Sequence, residues 1–310
     1  MGKFKRKKKE LKIKKVKIQT KVTFEEEEEK KRFSRIEGFN SINNTAYWQC
    51  REEKLFYNEN TMKQVSELAK ILERKNFQRI VNRARAKRGN LPFIVLLHGP
   101  SGTGKTALVK EICRQTKRHL LEIIVEKLRN ENCGQDEKAT KMVFEDYMCA
   151  SSILEEYPIL FFDECEAHLC KRMSTDGFNS TMINHLNNMT TIWLKHFQEF
   201  DGILFLATNR KEDFDEAFAR RILYQIEIDY PTKEIQAAIW ENYFPKVLTS
   251  EQCKSLAEEM NFTGGQIKQV QTKADIHELI YGKIDYNIIH DICETNWKAV
   301  SERKRIGFSR

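Results

Sequence analysis

The stretch FIVLLHGPSGTGKTALVKEI, residues 93–112, decides how this chain is read. An apolar run, Phe93 to Leu97, leads into Gly99, and Gly104, Lys105 and Thr106 follow in the spacing GxxxxGKT. A strand before and a helical pattern after form the setting in which that spacing has a chemical meaning. Glycines let the backbone curl so that successive amides face phosphate oxygens, and the following helix adds its positive N-terminal end. Gly99, Pro100, Ser101, Gly102, Thr103, Gly104, Lys105, Thr106 and Ala107 are therefore the expected phosphate cradle. Lys105 is expected to reach the β and γ phosphates, and the Thr106 hydroxyl to ligate magnesium.

A loop of this kind needs a second strand that ends in an acid, and PILFFDE, residues 158–164, supplies one. Asp163 is placed for the magnesium ion, and Glu164, one residue on, for activating the water that attacks the γ phosphate. The surrounding FFDECEAHLC, residues 161–170, could also be a metal cage. A zinc site wants about four ligands at recognisable spacings, and Cys165, His168 and Cys170 have no matching pairs elsewhere. The simpler expectation is that Cys165, His168 and Leu169 share one face of a helix after the strand.

Working outward, LLEIIVE (120–126), GILFLATN (202–209) and YQIEIDY (224–230) are further short apolar runs separated by helical periodicity. Continuous apolar strands alternating with helices predict a parallel five-stranded sheet of the P-loop NTPase kind, covered by helices on both faces. After Pro231 only helical signals remain, with Ile235 and Ile239, then Leu248 and Leu256, then FTGGQIKQV at 262–270. That predicts a C-terminal helical lid, with Thr263 and Gln266 as a capping box. Upstream, Met62, Val65, Leu68, Ala69 and Leu72 recur at spacings of three and four, an amphipathic helix preceded by an irregular aromatic segment.

Residues 1–32 hold 14 of the 53 Lys and Arg and 6 of the 45 acids, so the rest of the chain is charge-balanced. Such a composition cannot bury a core, and residues 1–32 are expected as a charged, disordered tail. The run KFKRKKKELKIKK has the footprint of a nucleic-acid or anionic-surface binder, or of a nuclear localisation signal in a eukaryotic host. A solubilising tail fits it equally. The other expected boundaries are 33–90 for a linker and the amphipathic helix, 91–231 for the nucleotide-binding core, 232–300 for the lid and 301–310 for a basic C-terminal tail. No apolar run is long enough to span a bilayer, the basic start is not followed by a secretory apolar stretch, and Arg6 stands where a myristoylation signal wants Ser or Thr. The eight scattered cysteines lack any framework, so free thiols and a cytoplasmic location are expected, nuclear if the tail acts as an address.

These motifs together resemble an AAA+ ATPase, over roughly residues 55–280. Asn209, at the end of GILFLATN, resembles the polar residue that orients the attacking water. DEAFARRI, residues 215–222, is similar to the double-arginine finger segment of katanin and spastin type proteins. The resemblance implies that Arg220 and Arg221 complete the site of a neighbouring subunit, and hence a homo-oligomeric ring, a hexamer in the family pattern. Gly264 and Gly265 resemble the small pair of the lid near the ribose and adenine, and Leu55 to Asn58 fall where the family backbone meets the adenine. The implied cofactors are ATP and Mg2+. The implied work is remodelling of a macromolecular partner, a protein ahead of a nucleic acid.

Two positions depart from the family pattern. Asn132 and Cys133 occupy the places where the pore loop carries an aromatic and an aliphatic residue that grip polypeptide. Lys268 stands where some branches have a nucleotide-contacting lid arginine, and a solvent-facing lysine is the better account of it. The missing grip keeps two other functions open: a nucleotide-dependent binding or scaffold switch without translocation, and a nucleic-acid-stimulated motor acting through the basic tail.

Overall fold

The five apolar runs pair as one sheet in the computed structural model, which describes residues 26–39, 41–128, 135–169, 171 and 180–305. In chain order, residues 26–34 form helix α1 and Ile42–Thr45 strand β1. Helices α2 (Glu59–Leu72) and α3 (Arg74–Arg88) precede β2 (Pro92–His98) and α4 (Lys105–Thr116). Next come β3 (Leu120–Ile123), α5 (Val125–Leu128), α6 (Gln135–Leu154) and β4 (Ile159–Phe162). Then α7 (Ser180–Glu199), β5 (Gly202–Thr208), α8 (Glu216–Ala219) and β6 (Tyr224–Glu227) complete the α/β core. Helices α9 (Lys233–Tyr243), α10 (Ser250–Glu259), α11 (Gly264–Tyr281) and α12 (Tyr286–Arg305) follow.

The sheet order is β1-β3-β4-β5-β2-β6, and the five strands from β3 to β6 are mutually parallel, as expected. The sixth strand is a correction: β1 runs antiparallel to β3, from Ile42 opposite Ile123 to Thr45 opposite Leu120. Its sequence INNT has low strand propensity and only Ile42 is buried, so nothing local marks it. Tertiary pairing at the sheet edge makes the strand. A second correction concerns the expected tail, because residues 26–34 within and beside it are helical.

Alternate residues of each central strand feed different layers, which is why the runs are apolar without a break. On one face Ile94, Leu96, Leu160, Phe162, Leu204 and Leu206 meet α6 and α7 through Val143, Phe144, Trp193 and Phe197. On the other, Phe93, Val95, Leu97, Ile159, Phe161, Ile203 and Phe205 meet α2, α3 and α4 through Leu68, Leu72, Phe77, Val81, Leu108 and Ile112. Of the predicted amphipathic face, Val65, Leu68 and Leu72 are buried and Met62 is exposed. The four C-terminal helices enclose a core of their own around Trp240, Leu256, Ile267, Val270 and Ile289. At the β6 edge, Thr61 Oγ1 donates to the Glu227 carbonyl at 3.1 Å and Asn58 Nδ2 to that of Tyr230 at 3.2 Å.

The N-terminal segment is held by a buried cluster around His119. Phe33 stacks on its ring at 5.1 Å, and Trp48 meets it edge-on at 5.2 Å. Its Nδ1 lies 2.5 Å from Glu156 Oε1, while Arg74 bridges Glu156 at 2.7 Å and Glu29 of α1 at 2.8 Å. Burial alone would push the Glu156 carboxyl up, but the His119 hydrogen bond and the Arg74 charge outweigh it and hold it below its ordinary 4.5. Six described cysteines are free thiols.

Two outcomes follow for stability. A folded-state value below the unfolded one means that the unfolded chain binds more protons as pH falls. The contribution of Glu156 is therefore complete above its ordinary value of 4.5 and lost as pH drops through the lower folded value. Glu156→Gln should flatten that acid limb in urea titrations at stepped pH, and an unchanged limb would remove Glu156 from the cluster's energetics. The buried Tyr147 hydroxyl donates to the Pro158 carbonyl at 3.1 Å and accepts from the Ile203 amide at 3.1 Å. Tyr147→Phe strands both, and chemical denaturation should show a loss of about 1–3 kcal/mol.

Candidate active site

The site is built at the carboxyl ends of β2, β4 and β5. Pro92 to His98 pair residue for residue with Gly202 to Thr208, and Phe162 stands opposite Leu206, so the strands end nearly level. The loop from Gly99, the acids from Asp163 and the amide of Asn209 thus emerge side by side. Gly99, Gly102 and Gly104 take φ of 145°, 78° and 98°, backbone that side chains disfavour. Gly104 is the N-cap of α4, so the helix begins at Lys105 with its amide end toward the cradle.

Lys105 is buried and donates from Nζ to the carbonyls of Gly99 at 2.7 Å and Pro100 at 2.9 Å, and to Asn209 Oδ1 at 2.8 Å. Burial pulls its ammonium below the usual lysine range, against the opposing carboxylates of Asp163, Glu166 and Glu164. Thr106 Oγ1 donates to Asp163 Oδ2 at 2.6 Å. The other Asp163 oxygen accepts from the Glu164 amide at 3.0 Å. Glu164 itself is exposed at a φ of 48°, a left-handed conformation uncommon for glutamate and frequent at functional sites. The hydroxyl and carboxylate of Thr106 and Asp163 form a hard oxygen donor pair that fits magnesium.

The lid closes this cradle from the other side. The expected capping box is present, with Thr263 Oγ1 accepting from the Gln266 amide at 3.3 Å and the Thr263 amide donating to Gln266 Oε1 at 2.8 Å. It directs the start of α11 at the phosphate loop, where the Gly265 amide donates to the Gly102 carbonyl at 2.9 Å. A side chain on Gly265 would lie 3.0 Å from that carbonyl, so the approach needs glycine. Two helix N-termini, of α4 and α11, converge on the same space.

That space is a cavity of about 340 Å³ lined by Ser101 to Ala107, Asp163, Glu164, Asn209, Gly264 and Gly265. Leu55, Phe56 and Tyr57 line it as expected, while Asn58 is absent from the lining and instead ties Tyr230 and Thr232. Lys268 also faces the cavity, with its ammonium 3.3 Å from Glu53 Oε1. Arg220 and Arg221 do not line it. Asp215 caps α8 by accepting from the Ala217 amide at 2.8 Å, and both arginines leave at its end. Arg221 is tied to its own subunit, at 2.8 Å to the Ala217 carbonyl and 3.3 Å to Gln198, whereas Arg220 is exposed.

The residues after Glu164 form a short 3-10 turn, Cys165–Ala167, in place of the expected helix. Cys165 and His168 are buried and Glu164 is exposed, so they do not converge on a cage. Among the described residues the group with metal-ligand geometry is Glu29, His119 and Glu156, and Arg74 already joins both its carboxylates. Cys170, Asn132 and Cys133 lie outside the described residues.

Two contributors escaped the sequence reading. Glu166 accepts the Asn209 backbone amide at 3.4 Å and so helps to hold that residue at the end of β5. Its companions in a run of acids concealed it, and only the fold brings it under β5. Tyr57 donates to the Gly104 carbonyl at 2.9 Å, and burial pushes its phenol up, so it stays a donor. The aromatic in a nonperiodic stretch gave no sign of that partner.

Comparison with known proteins agrees with this geometry. Residues 95–230 match the family described as "ATPase family associated with various cellular activities (AAA)". The chain is similar to Fidgetin-like protein 1 of Drosophila melanogaster, 32% identical over 56% of this chain and 32% of that protein. It is also similar to human Spastin, 26% identical over 55% of this chain and 27% of that protein. The chain thus spans about a third of the length of these curated relatives. Among solved structures, a chain of the "E. coli MS115-1 HORMA:CdnC:Trip13 complex" superposes with a TM-score of 0.64 at 15% identity, covering 83% of this chain and 95% of that one. That likeness concerns the fold. Residues 95–230 with their phosphate loop thus match the AAA ATPase family, and about half of the chain is similar to parts of Fidgetin-like protein 1 and Spastin.

Proposed function

We propose that the chain hydrolyses ATP as a subunit of a ring and uses the cycle to remodel a macromolecular partner, a protein ahead of a nucleic acid. The observation that carries the reading is the level convergence of Lys105, Thr106, Asp163, Glu164 and Asn209 on one cavity, with Glu164 exposed in its lining. In this reading Gly99 to Ala107 cradle the phosphates, with Gly264 and Gly265 at the lid side. Thr106 and Asp163 would hold Mg2+, which would neutralise charge developing on the phosphate groups when bound. Glu164 accepts a proton from the attacking water, and Asn209, steadied by Glu166, orients it.

The developing charge on the transferred phosphoryl group still lacks an arginine within the cavity. Arg220 is the favoured donor to a neighbour, because it is exposed and outside its own cavity. Arg221, tied to Ala217 and Gln198, is better suited to hold the segment in place. An assembled state is also supported by the lid, where Leu279, Ile280 and Tyr281 at the end of α11 are 86%, 65% and 67% exposed. A nucleotide-driven switch without translocation is the second reading, favoured by Asn132 and Cys133 at the gripping positions. Among the described residues no helix is long and apolar enough to cross a membrane.

The test is ATPase rate per subunit against protein concentration, with Glu164→Gln as the blank. The rate should rise with concentration in the parent chain, and Arg220→Ala should lower it by about 10³ or more. Arg221→Ala should cost less. Mixing Arg220→Ala with Glu164→Gln subunits should restore part of the activity, since each supplies what the other lacks. No recovery on mixing, with both variants still assembling, would sink the shared site.

A further inference from the structure

Helix α3 reads RKNFQRIVNRARAKR, with seven basic residues and no acid, in a chain that is charge-balanced beyond residue 32. Two of its arginines have internal work. Arg74 bridges Glu29 and Glu156, and Arg85 reaches Asp201 at 2.6 Å and the Tyr157 hydroxyl at 2.7 Å. Lys75, Arg79, Arg83 and Lys87 are different. All four are exposed and make no ion pair or hydrogen bond among the described residues.

Their spacing of four puts them in one row, each about 6 Å along the helix axis from the next. Like charges at that spacing destabilise a helix, and the cations of the first turn also oppose its dipole. The helix is held to the sheet mainly by Phe77 and Val81. An arrangement that repels itself and finds no counter-charge among the described residues favours an anion from outside.

We propose that this face of α3 binds the phosphate backbone of nucleic acid. A row of about 18 Å matches some five phosphates of one duplex strand. Between the cations lie the amides of Gln78 and Asn82, which share a hydrogen bond of 3.0 Å and are groups that commonly contact phosphate. A protein partner would call for an apolar centre, and none of the large exposed hydrophobic side chains lies on α3. The same lack of exposed aromatics removes base stacking, so binding follows the backbone and ignores sequence.

The face is remote from ATP. Arg85 on Asp201 and Asn90 on the Glu199 carbonyl tie the end of α3 to the start of β2 and β5, while the phosphate loop leaves from their other end. Nucleic acid is thus an anchor for the subunit and not the material inside its catalytic cavity. The inference does not depend on the ring.

The experiment is fluorescence anisotropy of labelled duplex DNA and duplex RNA with the full chain, between about 50 and 200 mM salt. The variant Lys75→Gln, Arg79→Gln, Arg83→Gln, Lys87→Gln removes the row with residues that favour helix. It should lower the slope of log affinity against log salt by about 3 and weaken binding at least tenfold, with basal ATPase and circular dichroism unchanged. The charge-conserving Arg79→Lys, Arg83→Lys variant should keep the slope. Equal slope and affinity in parent and neutralised chains would overturn the proposal, since any binding would then belong to the N-terminal block. Labelled poly-glutamate that binds more tightly than DNA, with the same dependence on α3, would overturn it in favour of an acidic polypeptide.

Discussion

Seven consecutive parallel pairings between β2 and β5 fix everything that the site can do. They bring His98 and Thr208 to the same level, and the β4 register adds Asp163 beside them. A slip of one residue along either strand would turn every buried side chain to the wrong layer, so the register is protected by both cores at once. The groups proposed for catalysis inherit that precision from the strands that carry them. Lys105 reaching Asn209, and Thr106 reaching Asp163, are consequences of where three strands stop.

How much of this was legible depends on whether a feature is local. The strands around residues 93–97, 159–162 and 203–207 were readable because a strand buried on both faces has no polar interruption. The phosphate loop was readable because its glycine positions are dictated by backbone shape. The lid capping box was readable because both partners lie within four residues. β1 was not, since INNT becomes a strand only by lying beside β3. α3 gave only a weak signal, with Phe77 and Val81 as its fully buried apolar residues among a run of cations. Glu166, Tyr57 and the His119 cluster depend on partners 37 residues away or more, where no spacing rule reaches.

The arginine pair shows the complementary case. DEAFARRI is legible as a segment, but its two arginines look equivalent in sequence. The fold separates them by giving Arg221 two acceptors on its own subunit and leaving Arg220 exposed. The basis is geometry at the end of a short capped helix, where neighbouring residues point in different directions. A similar division runs along α3, where Arg74 and Arg85 serve the fold and Lys75, Arg79, Arg83 and Lys87 face solvent.

The two margins of the sheet are blunted by different means. β1 comes from the chain's own N-terminal segment and covers β3, while at the far side the hydroxyl of Thr61 already occupies the Glu227 carbonyl. An open strand edge is a template for adventitious growth of one sheet onto another. Here one edge is a strand of only four residues and the other has a blocked acceptor, and both features blunt that template. The group that blunts the β6 edge is thus a hydroxyl that takes no part in the chemistry.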